Sequence, residues 1–334
     1  MRARTGGMGK KGVSAENGVG KRKTGQEMNI CCCKRFAIIG VLWLVSNPML
    51  SKLLLLLICL VGLRTPVGAS ESGITIVTSF SIIDDWCLKL LNNKNLTYSI
   101  VPRNGELHEY QLSVQDVSRL NHAKLTVGFS PESESWLKDW ARSAEGHRVV
   151  WLGLKEDGTP LPAHAWTDPI LAKGMALRLA TAIRTALPEA QLDEARLLAE
   201  IDEVHARLKE LMDSVPPERR HLITQHPNLD PFAARYALKV AGTLLASNSG
   251  EAADTSARHY SLLLKTIKSG NIRTIVVDEG QNGDLAVRLA LDARIPPPLP
   301  LNFESLSTKE GPTPTWKDMM LHNGFQLQRA LSTR

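Results

Sequence analysis

The chain has 334 residues, 43% of them hydrophobic and 22% charged, with a formal net charge of +6. The basic excess is confined to the N-terminus: residues 1–69 hold 11 of the 40 Lys/Arg and 2 of the 34 Asp/Glu, leaving residues 70–334 at −3. That excludes the broad basic surface by which a protein neutralises nucleic-acid phosphates, so no nucleic-acid partner is expected, and the remaining length is ample for one large domain or two lobes.

Residues 1–69 read as a leader or signal peptide. Leu53–Leu63 is an apolar run of signal-peptide length, preceded by Lys52 and followed by the small-residue pattern Val67-Gly68-Ala69. Met49 stands where a compact signal peptide would begin, and is read as the true start. Asn47, Pro48, Ser51 and Lys52 interrupt the apolar stretches on either side, which argues against one continuous membrane span. Export to the periplasm is the expectation, with membrane association through the apolar segment as the other reading. Cys59 lacks the small preceding residue that a lipid-attachment box needs, and Cys31, Cys32 and Cys33 have no second ligand group at a useful spacing. Only Cys87 remains beyond residue 69, so stability must come from the core and not from a disulfide.

From residue 74 onward short β-rich runs alternate with helical patterns, which predicts an α/β fold. Strands are expected at Ile74–Val77 and Thr97–Val101, followed by a capping box, Ser113 to Asp116, opening a helix through Leu120. Further strands are expected at Leu125–Gly128 and Val149–Leu152. Asp168-Pro169 offers an N-cap and a first-turn proline, and Leu171, Met175, Leu179, Ile183 and Leu187 then form a core-facing stripe. In Gln191–Asp213, Leu197, Ile201, Val204, Leu208 and Leu211 follow a 4-3-4-3 rhythm ended by Pro216-Pro217, predicting one amphipathic helix roughly 35 Å long. Strands return at His221–Gln225, Lys239–Gly242 and Ile272–Asp278; Ser247–Asp254 reads as a surface loop and Pro296–Pro300 as an extended entry to the last segment. The expected architecture is two α/β lobes, 70–190 and 218–334, bridged by a rigid backbone helix within 191–217.

Three histidines stand out by context: His108 in Gly105-Glu-Leu-His-Glu-Tyr110, His164 in Pro162-Ala-His-Ala-Trp-Thr-Asp-Pro169, and His226 in Leu222-Ile-Thr-Gln-His-Pro227. Neutral imidazole is the commonest zinc ligand, and spacings of 56 and 62 residues exclude a zinc finger, so a shared site would have to be closed by tertiary folding. His226 and His108 each follow a predicted strand, the place where ligands bind in open α/β sheets. Taken singly, each has a plainer reading as a loop or capping histidine, and Trp166 and Asp168 as packing and capping residues.

The motifs together resemble the zinc- and manganese-binding receptors of bacterial ABC-type metal importers, over essentially all of residues 74–331. His108 falls on the histidine of Gly-x-Pro-His-x-Tyr, followed by Ser113, Asp116, Leu120 and Ala123 in register. His164 falls on that of Asp-Pro-His-x-Trp-x-Asp-Pro, with Trp166, Asp168 and Pro169 kept, and His226 on that of Val-Thr-x-His, with Phe232 and Tyr236 matching the aromatics after it. The resemblance implies two lobes joined by a rigid helix, a divalent metal held between them, a membrane permease with its ATPase as partner, a monomer, and no catalysis. Two departures stand out. Asn302 aligns with the family's aspartate ligand, leaving the fourth position to Asn302, Glu304, Asp278, Glu279 or water; and residues 141–161 lack a histidine-rich loop, with only His147 there. A third imidazole favours zinc over manganese, which prefers carboxylates. A zinc hydrolase with three histidines and water is the rival, with Glu109 its only candidate base; a manganese receptor, or an adhesin or scaffold with an altered site, are further alternatives.

Overall fold

The computed structural model describes residues 75–91, 96–108, 110–143, 145–245 and 256–333. The expected leader, including Met49, Cys59 and the apolar run, lies outside the described residues, as do Glu109 and the whole of the expected 247–254 loop.

Two four-stranded parallel sheets form the lobes. The first contains β1 (Ile76–Thr78), β2 (Thr97–Ser99), β3 (Leu125–Gly128) and β4 (Val150–Trp151) in the order β2-β1-β3-β4. The second contains β5 (His221–Thr224), β6 (Lys239–Thr243), β7 (Ile275–Asp278) and β8 (Leu299–Leu301) in the order β6-β5-β7-β8. The two sheets repeat one winding pattern. In each, the chain runs to one side of the first strand and then to the other, which opens a crevice at the carboxyl ends of the strands. Strand β8 was expected only as an extended entry. It pairs with β7 through Val276↔Leu299 and Asp278↔Leu301, and Pro300 is tolerated because β8 lies at the sheet edge, where an N–H need not be donated.

Helices α1 (Ser81–Leu91), α2 (Val114–His122), α3 (Ser135–Ser143) and α4 (Pro169–Ala186) accompany the first sheet. Helix α2 has the expected capping box, Ser113 accepting from the Asp116 backbone N–H and Asp116 reaching back to Ser113 N. Helix α4 buries Met175, Leu179 and Ile183, with Ala172, Ala176 and Ala180 between them, while Leu171 at the start of the expected stripe is only half-buried.

Helix α5 (Glu194–Asp213) is the bridge between the sheets. It begins three residues later than the rhythm implied, because the Asp193 side chain accepts the Arg196 backbone N–H and starts the helix there. At 20 residues it is roughly 30 Å long. Leu197, Ile201, Val204 and Leu208 are buried as expected, but the last core position is Met212 and not Leu211, the fourth-residue step that an unsupercoiled helix of 3.6 residues per turn favours.

Helices α6 (Asp230–Arg235), α7 (Ala257–Ser269) and α8 (Asp284–Ala293) belong to the second sheet. The last helix, α9 (Trp316–Ser332), does something different: it returns along α5. Gly324 permits the approach, since a β-carbon there would lie 2.2 Å from Leu208 Cδ2. At its start, Trp316 is fully buried, donates from Nε1 to Trp166 O (2.9 Å), and meets Trp86 edge-on at 5.8 Å between ring centroids. Its backbone N–H is accepted by Asp85 (2.9 Å), the carboxylate that also pairs with Lys89 at 3.0 Å. The chain therefore passes between the lobes twice, through α5 and through the segment from β8 to α9. One core runs through the first lobe, α5, α9 and the near face of the second sheet, where Leu222, Phe232 and Phe303 lie. A smaller one, around Ile223, Leu263, Ile275 and Leu289, fills the far face.

Candidate metal centre

All the singled-out residues stand at carboxyl ends of strands, and each is placed by a different device. His108 lies in the loop after β2. Trp136 Nε1 donates to Leu107 O (3.1 Å), the Glu106 carboxylate accepts the His108 backbone N–H (3.1 Å), and Tyr110 Oη donates to the capping carboxylate Asp116 (2.9 Å). His164 follows β4 and opens a single 3-10 turn, Ala165–Thr167, in a left-handed conformation (φ 58°, ψ 29°). That conformation costs a residue with a β-carbon about 1–2 kcal/mol and persists only where the surroundings impose it. Here they do: Thr167 bonds His164 O through both its N–H (2.9 Å) and its hydroxyl (2.8 Å), and the buried Trp166 ring is wedged against Phe80 and Phe129.

The Trp-x-Asp-Pro residues prove to be more than packing and capping. Trp166 Nε1 donates to Phe303 O (2.7 Å), beside Glu304, tying the His164 turn to the segment that crosses from the second lobe. Asp168 caps α4 through Ile170 N (2.9 Å) and also receives both Nε and Nη2 of Arg235 from α6, each at 2.8 Å. This fork-to-fork pair joins the lobes beside the site and raises the affinity of Arg235 for its proton.

From the second lobe, His226 follows β5 and is buried. Its Nδ1 pairs with Asp278 at the end of β7, and the Asn228 amide donates to the other oxygen of Asp278 and, at 3.4 Å, to Glu304 Oε1. A carboxylate on one imidazole nitrogen fixes the tautomer and leaves the other nitrogen's lone pair free. That nitrogen, Nε2, is buried without a hydrogen-bond partner, as are His108 Nε2 and both ring nitrogens of His164. Buried unpartnered nitrogens are costly unless they serve a ligand.

Glu304 lies where these residues meet. Its Oε1 is 3.1 Å from His164 Nε2, in contact but outside hydrogen-bond geometry, and 3.9 Å from His108 Nε2; one ligand atom from each of His108, His164 and Glu304 lies within 4.8 Å of the others. Burial alone would raise the Glu304 carboxyl, but the adjacent His164, the charge of His108 and the Asn228 amide outweigh it and hold it at about 2. Burial likewise opposes charging of His226, and Asp278 first, then Glu304 and Glu106, reverse this and raise it.

The structure thus gathers His108, His164 and Glu304, with His226 beside them through Asn228. Asp278 is engaged with His226 and Asn228. Asn302 turns its amide oxygen to the backbone N–H groups of Glu304 (3.2 Å) and Ser305 (3.0 Å), so it shapes the loop that carries Glu304. Sequence reasoning missed Asn228, Arg235, Glu106 and Gln281. Of these, Asn228 and Glu106 had a local signal, each lying two residues from a singled-out histidine. Several of the other histidines have structural partners: His205 bonds Tyr236 Oη (3.1 Å), His259 bonds Thr243 O (2.8 Å), and His147 stacks on Trp140.

Residues 76–330 match the family described as zinc-uptake complex component A, periplasmic (ZnuA). The chain belongs to this family. Among its relatives, the metal ABC transporter substrate-binding lipoprotein SloC of Streptococcus mutans is 23% identical over 306 residues, covering 85% of this chain and 99% of the relative. The fold is shared with the Mn-bound periplasmic metal-binding protein of Candidatus Liberibacter asiaticus (TM-score 0.64, 20% identity, 77% of this chain and 99% of that one). It is shared too with the periplasmic zinc-binding protein TroA of Treponema pallidum (TM-score 0.67, 18% identity, 78% and 100%). Membership places the chain among the substrate-binding receptors and not among the enzymes, which removes the hydrolase reading. Among the described residues no helix is long and apolar enough to cross a membrane.

Proposed function

We propose that this protein captures a divalent transition metal, zinc in the first place, in the cleft between its lobes and delivers it to a membrane permease driven by an ATPase. The observation that carries the reading is the convergence of His108, His164 and Glu304 on one point, with ligand atoms within 4.8 Å, beside a His226 whose Nδ1 is already bonded to Asp278. Three imidazoles and one carboxylate form a four-ligand set of the kind zinc takes, and the set is too nitrogen-rich to favour manganese. Glu304 serves as the anionic ligand in place of the aspartate that Asn302 replaces, so the loaded site carries a net charge of +1. Relatives named for manganese, iron and zinc leave the choice of metal to this donor set. In this reading residues 1–69 are the export leader, 70–190 and 218–334 the lobes, and the protein works outside the cytoplasm as a monomer.

Calorimetric titration of the metal-stripped protein with zinc and, separately, manganese tests it. One-to-one zinc binding much tighter than manganese is expected. Comparable or tighter manganese binding would overturn zinc as cargo, and unchanged zinc affinity in His226→Ala would remove His226 from the ligand set.

A further inference from the structure

A cavity of about 290 Å³ borders the site residues Asp278 and Glu304 and is otherwise lined by the loops of both lobes, among them Asn104, Glu106, Gln281 and Ser305. It has room for several waters at about 30 Å³ each, and so for a metal ion that still carries some of its hydration. Across it runs one direct hydrogen bond between side chains of the two lobes: Gln281 Nε2, just beyond β7, donates to Glu106 Oε2 at 2.8 Å. The other oxygen of Glu106 accepts the His108 backbone N–H at 3.1 Å. One carboxylate therefore holds both the opposite lobe and a proposed ligand's loop.

We infer that Glu106 and Gln281 form a latch over the route by which the metal enters and leaves, with Glu106 a positioning residue that couples opening of the cleft to the seating of His108. The inference rests on the metal-receptor reading above. A cation approaching the cleft is drawn by the Glu106 charge, but the amide of Gln281 must leave that carboxylate before the cavity widens. When it leaves, the carboxylate that holds the His108 backbone N–H loses its partner on the other lobe, so release of the lobe and release of the ligand are linked. Arg235 with Asp168 and Trp166 with Phe303 O tie the lobes at the His164 turn, and Asn104 N–H to Leu306 O together with Arg103 to Ser307 O and Pro314 O anchors the base of the His108 loop, so the movement is confined to the end of that loop where Glu106 meets Gln281.

The test is stopped-flow zinc exchange, with uptake followed on mixing the stripped protein with zinc and release followed with an excess of chromogenic chelator. Wild type would be compared with Gln281→Ala, Gln281→Glu and the exchanged pair Glu106→Gln with Gln281→Glu. Gln281→Ala is expected to speed both uptake and release about tenfold, the effect of losing one hydrogen bond to a charged group, with a smaller change in their ratio. Gln281→Glu, which sets two carboxylates against each other, should speed release further. The exchanged pair restores the bond in the opposite sense and should bring release back to within about threefold of wild type, an outcome that neither a simple charge effect nor general destabilisation would give. Equal rates in all four proteins, or an exchanged pair as fast as Gln281→Glu, would overturn the latch while leaving the receptor reading intact. Failure of the wild-type protein to bind zinc at all would overturn both.

Discussion

The two lobes hold their share of the site by different means. In the first lobe, His108 and His164 are fixed by the backbone: tryptophan N–H groups bond the loops that carry them or tie those loops to the other lobe, and a left-handed turn aims His164. In the second, His226 and Glu304 are fixed by one another's neighbours, through a network of two carboxylates and the amide of Asn228. A site held by packing tolerates changes of charge nearby; a site held by paired charges does not, because removing one member strands another in a buried place. The difference teaches that a change of charge at the site should be felt chiefly in the second lobe, with the Glu106 support of the His108 loop as a charged tie in the first.

Substitutions that break this contrast can be ranked. Glu304→Ala removes the only carboxylate within the cluster and leaves the histidines facing a dication without a counter-charge. Zinc affinity in calorimetry should fall by more than the 10–100-fold typical of losing an outer partner of a ligand. Asp278→Ala should cost about 10–100-fold, because His226 loses the bond that fixes its tautomer. Equal affinity in that variant would show that the second lobe too relies on packing.

Arg235→Ala leaves the buried Asp168 with only its capping bond. Arg235 is itself a third exposed, which puts the loss below the 3–5 kcal/mol of a fully buried pair, at about 1–2 kcal/mol, read as a fall of several degrees in the melting temperature.

The lobes should also answer pH in opposite directions. In the metal-free protein Glu304 sits at about 2 against an ordinary value of 4.5, so its stabilising contribution is complete above 4.5 and fades as the pH falls towards 2. Glu134, fully buried behind Phe129 N and Ser130 N in the first lobe, is pushed by burial to about 8, with Ser79 and the two backbone donors only partly opposing. The native state there holds a proton that the unfolded chain gives up, so stability falls by about 1.4 kcal/mol per unit as the pH rises from 4.5 to 8. Denaturant titrations of Glu134→Gln should lose that alkaline slope while keeping the acid one. The smallest effect is expected for Asn302→Asp: an aspartate can accept the same two backbone N–H groups, so zinc affinity should change by less than about threefold. A large gain would mean that the side chain swings into the cluster.

How much of this the sequence disclosed follows from the range of the interactions. The strands from β1 to β7, the α2 capping box and the α4 cap are written within a few residues, and all were legible in outline. The start of α5 at Asp193 was equally local but overlooked, since the apolar rhythm extends past the cap. Strand β8 was hidden by Pro300, which is compatible with a sheet only at an edge, and edges are set by topology. The three histidines were singled out through their contexts, but which of Asn302 and Glu304 faces them turns on a loop in which the Asn302 side chain serves the backbone and the Glu304 side chain lies beside the histidines. Arg235 with Asp168, and Gln281 with Glu106, are separated by 67 and 175 residues, with no pattern in either partner's neighbourhood to announce the pairing.

The return of α9 along α5 bears on how the molecule is made. Trp316 completes the first lobe by meeting Trp86 edge-on and bonding Trp166, and Asp85 accepts its backbone N–H across 231 positions of chain. Contacts so distant in sequence form late, after the entropy of closing a very long loop has been overcome. The part of the protein synthesised first is thus sealed by the part synthesised last, and a chain still emerging from the ribosome keeps its N-terminal half unfinished. If the chain is exported as proposed above, that delay would keep it threadable until its whole length has crossed.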